Sequence, residues 1–170
     1  MAQKKLSNFS ITRKNKYLYP MLEQGLSKQD LNKGINILKT GFITMGKKTE
    51  YFEKKFAKKM NTKYALMVNS GSSANLLAAF ASCNPLRKNK FKRGDEALIP
   101  ALCWSTSLWP LVQTGLVPKF VDINPKTLNI DADHLISQIT KKTKLIMLIN
   151  VLGISANIKK IVDIAKKKKL

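Results

Sequence analysis

From Lys63 to the end of the chain, short apolar runs alternate with segments of helical period, and this alternation limits the fold more than any other feature. Tyr64–Val68, Glu96–Pro100, Pro118–Asp122 and Lys144–Asn150 read as strands. Helices are expected over Ser72–Cys83, from the Ala101–Ser107 turn to near Gly115, from an Asp131 or Asp133 cap to about Ile139, and over Asn157–Lys169. Strands this short and apolar are buried on both faces, as in a mostly parallel sheet between helices. Upstream, Ser27-Lys28-Gln29-Asp30 has the form of a capping box with Asp in the place of Glu or Gln. It predicts a helix carrying Leu31, Ile35 and Leu38 that Gly41 ends. Gly41–Gly46 is a short extended or turning link, and a second helix follows with Tyr51, Phe52, Phe56 and Met60 on one face. Residues 1 to about 18 are basic and aperiodic, and read as a flexible arm ahead of a domain spanning 19–170.

Composition narrows the class. A chain of 170 residues with 44% hydrophobic content can bury a core. The formal net charge is +21, from 31 Lys and Arg against 10 Asp and Glu. A nucleic-acid binder would cluster that charge and interleave aromatics. Here the lysines are scattered and the arginines are few, so lysine as a generic solvated residue explains the charge as well, and an anionic substrate also fits. Cys83 and Cys103 form neither a CxxC metal site nor a disulfide framework. The basic start has no signal-peptide apolar region, and Leu145–Leu152 is too short to span a bilayer. A reduced cytoplasmic protein without membrane insertion is the expectation.

One turn points to chemistry. In Val68-Asn69-Ser70-Gly71-Ser72-Ser73-Ala74-Asn75-Leu76 an apolar run meets a helix of small residues. A helix start leaves backbone N–H groups unpaired and carries the positive end of the helix dipole, so it attracts anions. Gly71 would permit an unusual φ angle in the turn and let a phosphate approach the backbone, and the Ser72 and Ser73 hydroxyls are further donors. The plainer reading is that Ser70 or Ser72 is an N-cap. Ligands of open α/β sheets sit at the carboxyl ends of strands. Asn69–Ser73, Ala101–Thr106 and Asn150–Gly153 all fall there, and together they suggest a flat phosphorylated cofactor.

Gly71-Ser72-Ser73-Ala74-Asn75, Pro100-Ala101-Leu102-Cys103-Trp104-Ser105-Thr106, Phe120-Val121-Asp122-Ile123 and Asn150-Val151-Leu152-Gly153 occur in that order. This set resembles the DegT/DnrJ/StrS-type sugar aminotransferases, pyridoxal-phosphate enzymes of nucleotide-linked 4-keto-6-deoxy sugars. Thr44-Met45-Gly46 and Trp104-Ser105-Thr106 resemble the branch containing the colitose-pathway 3-dehydratase. The resemblance implies an α/β chain forming the N-terminal portion of a type I large domain, incomplete, binding pyridoxal 5′-phosphate or pyridoxamine 5′-phosphate. It implies that Gly71, Ser72 and Ser73 bind the cofactor phosphate and that Trp104 stacks on its ring. It places Asn150 near the cofactor as well. Without the resemblance, Trp104 reads as a core aromatic. His134 reads as a solvated surface residue, and Lys47 and Lys48 have no role. The implied partners are a nucleotide-linked keto sugar, an amino donor such as glutamate, and a second copy in a homodimer.

The same resemblance implies what lies elsewhere. The family has an acidic partner for the pyridine nitrogen and, further on, a lysine or, in colitose-type dehydratases, a histidine. Both are expected downstream of Leu170, with the small C-terminal domain, so the chain alone is expected to be inactive. The alternatives from the sequence are a basic nucleic-acid-binding α/β protein and a non-catalytic remnant. The expected role is in polysaccharide or O-antigen biosynthesis.

Overall fold

A computed structural model describes residues 25–170. The basic arm and the start of the proposed domain lie outside the described residues. The chain divides into two compact units, one running to Met67 and the other Val68–Leu170.

In the first unit, α1 (Lys28–Lys39) and α2 (Lys47–Lys59) follow the sequence signals. Ser27 Oγ accepts the Asp30 N–H at 3.1 Å, and the Asp30 carboxylate accepts the Ser27 N–H at 3.2 Å. That is a complete capping box, and the Ser27 hydroxyl holds the Asp30 carboxyl below its ordinary pKa. Phe52 and Phe56 stack with centroids 5.6 Å apart on α2. The expected strand Tyr64–Val68 does not form: the segment is irregular, and Tyr64 and Leu66 are exposed. A strand needs a neighbour for its N–H and C=O groups. None of the sheet strands pairs with this run, and the Met67 N–H goes to Glu53 Oε1 at 2.8 Å.

The second unit is a three-stranded parallel sheet between helices. Its elements are α3 (Gly71–Ser82), β1 (Glu96–Pro100), α4 (Ser105–Gln113), β2 (Val117–Val121), α5 (Ala132–Gln138), β3 (Thr143–Ile146) and α6 (Ile158–Lys168), with a 3₁₀ turn at Val151–Gly153 before α6. The strand order is β2-β1-β3. Central β1 sends alternate residues to opposite faces. Leu98 packs with Val121, Ile130, Leu135, Ala156 and Ile161 on one side, while Ala97 and Ile99 pack with Leu111 and Leu116 on the other. Leu98, Ile99 and Leu135 are fully buried, each stabilising the fold by roughly 1.5–3 kcal/mol.

Three expectations shift here. The fourth apolar run is shorter as a strand than Lys144–Asn150: β3 starts at Thr143, slips register between Glu96 and Ala97, and ends at Ile146. The Met147 N–H still bonds Leu98 O at 2.8 Å, but the run beyond it leaves the ladder. Of the two aspartates offered as the α5 cap, Asp131 takes the role: its carboxylate accepts the His134 and Asp133 N–H groups, and the His134 bond leads in holding its pKa down. His134 is not a solvated surface residue. Its ring is half-buried, and Nδ1 accepts the Asp122 N–H at 2.9 Å, tying α5 to the end of β2. Among the described residues, no helix is long and apolar enough to cross a membrane.

Candidate functional site

Building from the helix start, Ser70 is the N-cap of α3, in extended backbone at φ −160° and ψ 160°. Its Oγ accepts the Ser73 N–H at 3.1 Å, and its hydroxyl donates to Ser73 Oγ at 3.1 Å. The capping reading of the turn therefore holds for Ser70 and not for Ser72. Ser70 caps, which consumes the Ser73 N–H. The N–H groups of Gly71 and Ser72 stand at the first two helical positions, where no intrahelical acceptor exists. The Ser72 hydroxyl has no partner among the described residues and is exposed. The first turn carries no acidic residue.

Gly71 is not there for its backbone angle, since its φ is not in the left-handed region. A Cβ built on it would meet nothing within 4 Å. The space against the backbone is open, and that is what an approaching oxyanion needs. Exposed N–H groups, a hydroxyl, a positive dipole end and no carboxylate suit a phosphate group.

Trp104 follows β1. It is the N-cap of α4 with no side-chain capping bond, and it is 73% exposed. The core reading therefore fails, and a free indole stands at the carboxyl end of the central strand. Cys103 beside it is partly buried, and that burial raises its thiol pKa, which keeps it a neutral neighbour and not a nucleophile.

A link unforeseen in the sequence joins these two turns. Pro110 lies inside α4 and has no N–H to give the carbonyl four residues back, Thr106. The Asn75 side-chain amide donates to Thr106 O instead, a long bond at 3.5 Å. So the second turn of α3 is coupled to the first turn of α4 through an acceptor that the proline freed.

Asn150 follows β3 and starts the 3₁₀ turn. Its Oδ1 accepts the Ala156 N–H at 2.9 Å, so its amide NH₂ is the part left for a ligand. The structure therefore brings Gly71, Ser72 and Ser73 together on one helix start. It sets Trp104 after β1 and Asn150 after β3, adjacent strands whose carboxyl ends lie side by side.

The matching family model, the DegT/DnrJ/EryC1/StrS aminotransferase family, covers residues 25–170. The chain belongs to this family. Its fold is accordingly part of the α/β fold of pyridoxal-phosphate-dependent aminotransferases. GDP-4-keto-6-deoxy-D-mannose 3-dehydratase of Yersinia pseudotuberculosis is 47% identical over 135 residues, which is 79% of this chain and 34% of that protein. The E. coli GDP-4-keto-6-deoxy-D-mannose-3-dehydratase with bound hydrated PLP superposes with a TM-score of 0.80 at 40% identity, covering 87% of this chain and 38% of that one. A structure of GDP-4-keto-6-deoxymannose-3-dehydratase with a trapped PLP-glutamate geminal diamine gives a TM-score of 0.79 at 40% identity, covering 86% and 38%. The chain spans little more than a third of the length of these relatives.

Proposed function

We propose that this family member supplies the phosphate-binding and ring-stacking part of a pyridoxal-phosphate site in an enzyme of nucleotide-linked 4-keto-6-deoxy sugars. The favoured reaction is 3-dehydration, with amino transfer from glutamate as the sister activity on the same framework. The observation that carries the reading is the start of α3, where capping by Ser70 leaves the Gly71 and Ser72 N–H groups and the Ser72 hydroxyl unspent. The similarity to 3-dehydratases at 47% and 40% identity supports the branch.

When bound, the cofactor's conjugated ring supplies an electron sink for bond cleavage at the substrate carbon attached to it. The chain's own residues bind and orient. Gly71 N–H, Ser72 N–H and Ser72 Oγ hold the phosphate, while Ser73 completes the turn that presents them. Trp104 provides a flat face for the ring, worth roughly 0.5–1.5 kcal/mol beyond burial. Asn150 offers its amide NH₂ as a donor near the site. Cys103, its thiol pKa raised by burial, is a neutral neighbour of Trp104. No lysine in the chain is assigned proton transfer, because none stands at a matching motif. That group and the ring-nitrogen partner belong, in this reading, to the part of the relatives' length that the chain does not match. On its own the chain binds and does not catalyse, and the complete enzyme is a cytoplasmic homodimer of surface-polysaccharide synthesis.

The test is the product formed by the complete protein from GDP-4-keto-6-deoxy-D-mannose, pyridoxal phosphate and glutamate. Loss of the 3-hydroxyl with release of ammonia is the expected outcome. A stable 4-amino sugar would move the protein to the aminotransferase branch, and no reaction would overturn the reading.

A further inference from the structure

The turn that carries Asn150 is strained, and the Leu152 side chain does not hold it. Leu152 (φ 52°, ψ 25°) and Gly153 (φ 80°) are consecutive left-handed residues. Glycine occupies that region freely, but leucine is disfavoured there because its Cβ crowds the backbone. Such a conformation persists only where the surroundings over-determine it. Leu152 is 86% exposed, so packing of its side chain does not supply the constraint.

Besides the Ile154 N–H to Val151 O bond and the Asn150 tie within the turn, a buried amide from another loop supplies it. Asn129, 3% exposed, lies at the end of the loop after β2. Its Oδ1 accepts the Val151 N–H at 3.3 Å, and its Nδ2 donates to Ile154 O at 3.2 Å. The two bonds grip the backbone on either side of Leu152 and Gly153. The second Nδ2 hydrogen goes to Thr127 O at 3.2 Å, and Asn129 O accepts the Asn124 N–H at 2.9 Å, so the gripping residue is itself fixed in its loop. Asn150 is the residue immediately before the gripped segment, and its Oδ1 is tied to the Ala156 N–H beyond it. What the clamp leaves free is the Asn150 NH₂.

We propose that Asn129 is a positioning residue: it holds the Asn150–Ile154 turn in its left-handed form, so that Asn150 presents its amide donor to the cofactor site. The inference rests on the cofactor reading above. Asn129 touches no reacting group and acts through Asn150 alone.

The experiment uses the complete protein, with pyridoxal phosphate titration by absorbance and amide hydrogen exchange across residues 150–156. Asn129→Ala is expected to speed exchange of the Val151 and Ala156 N–H groups and to weaken pyridoxal phosphate roughly two- to tenfold, the range of one ordinary hydrogen bond. Asn129→Leu, close in volume and without donor or acceptor, fills the site and should match Asn129→Ala in both readouts. It also serves if the alanine variant does not fold. Adding Leu152→Gly to either variant removes the strain that the clamp opposes, and should restore most of the affinity although the hydrogen bonds are still missing. A merely structural role for Asn129 predicts no such rescue. Unchanged exchange, unchanged cofactor affinity with faster exchange, or absence of rescue would each overturn the proposal. The cofactor reading fails separately, if Ser72→Ala and Trp104→Ala both leave affinity untouched. The exchange arm does not depend on it.

Discussion

Near the amino ends of the strands, Glu96, Thr140, Thr143 and Lys119 satisfy one another, whereas Gly71 and Ser72 at the α3 start, Trp104 after β1 and Asn150 after β3 keep donors and an indole face in solvent. At the first end the Thr140 hydroxyl donates to Glu96 Oε2 at 2.6 Å and the Thr143 hydroxyl at 3.2 Å, while Thr143 Oγ1 accepts the Thr140 N–H at 2.9 Å. Lys119 Nζ sits 3.9 Å from the same carboxylate and donates to Gln138 O at 3.0 Å. Among the described residues no buried side-chain polar atom lacks a partner. A closed network of this kind stabilises and offers a ligand nothing. The α3 start is the converse: hydroxyls again, but with Ser70 spent on the cap and Ser72 left open. The difference shows that residue type does not make a site. Unspent hydrogen-bonding capacity does.

The comparison can be broken at either end. The largest expected effect is Ser72→Ala, which removes one donor to a charged phosphate, worth roughly 1.5–3 kcal/mol or about ten- to hundredfold in pyridoxal phosphate affinity. Its melting temperature should stay at the wild-type value, because Ser70 and not Ser72 caps α3. A stability loss without an affinity loss would make Ser72 a structural residue.

Thr143→Val should do the reverse. Thr143 is 1% exposed, and the substitution strands the Thr140 N–H and removes a donor to Glu96, a cost of roughly 1–3 kcal/mol in stability with cofactor affinity unchanged. The pH dependence sharpens it. The Thr140 hydroxyl first, then Thr143, holds the Glu96 carboxyl below its ordinary pKa. A depressed folded-state pKa contributes stability above the unfolded value and loses it as the pH falls through the folded one. Wild type should therefore weaken below about pH 4.3, the usual glutamate value, and the gap to Thr143→Val should narrow there. Chemical denaturation between pH 7 and pH 3 reads both. A gap that widens in acid would contradict the network.

Much of the frame was legible from residues alone. β1 was read at its observed bounds, Ser27 and Asp30 form the expected box, and Asn157 caps α6 where the period begins. These are local signals, in which a few adjacent residues decide their own backbone. The Tyr64–Val68 run carried the same apolar signal as β1 but has no neighbouring strand in the sheet, and no single sequence states its partner. The site shows the same divide. The helix start and Trp104 stood out by motif. Asn129, Asn75 and His134 work through contacts 22 to 25, 31 and 12 residues away in the chain, which composition and period cannot reveal. The Thr106 acceptor that Asn75 uses did have a visible cause, a proline four residues into a predicted helix.

The central claim is that the proposed site divides its work, with the α3 start holding phosphate and Trp104 holding the ring. It is tested most directly by measuring, in the complete protein, how well inorganic phosphate competes with pyridoxal phosphate in wild type, Ser72→Ala and Trp104→Ala. Trp104→Ala should weaken the cofactor by about two- to tenfold and leave the phosphate inhibition constant at its wild-type value. Ser72→Ala should weaken both ligands together. Equal loss of phosphate affinity in the two variants, or no loss in either, would contradict the account.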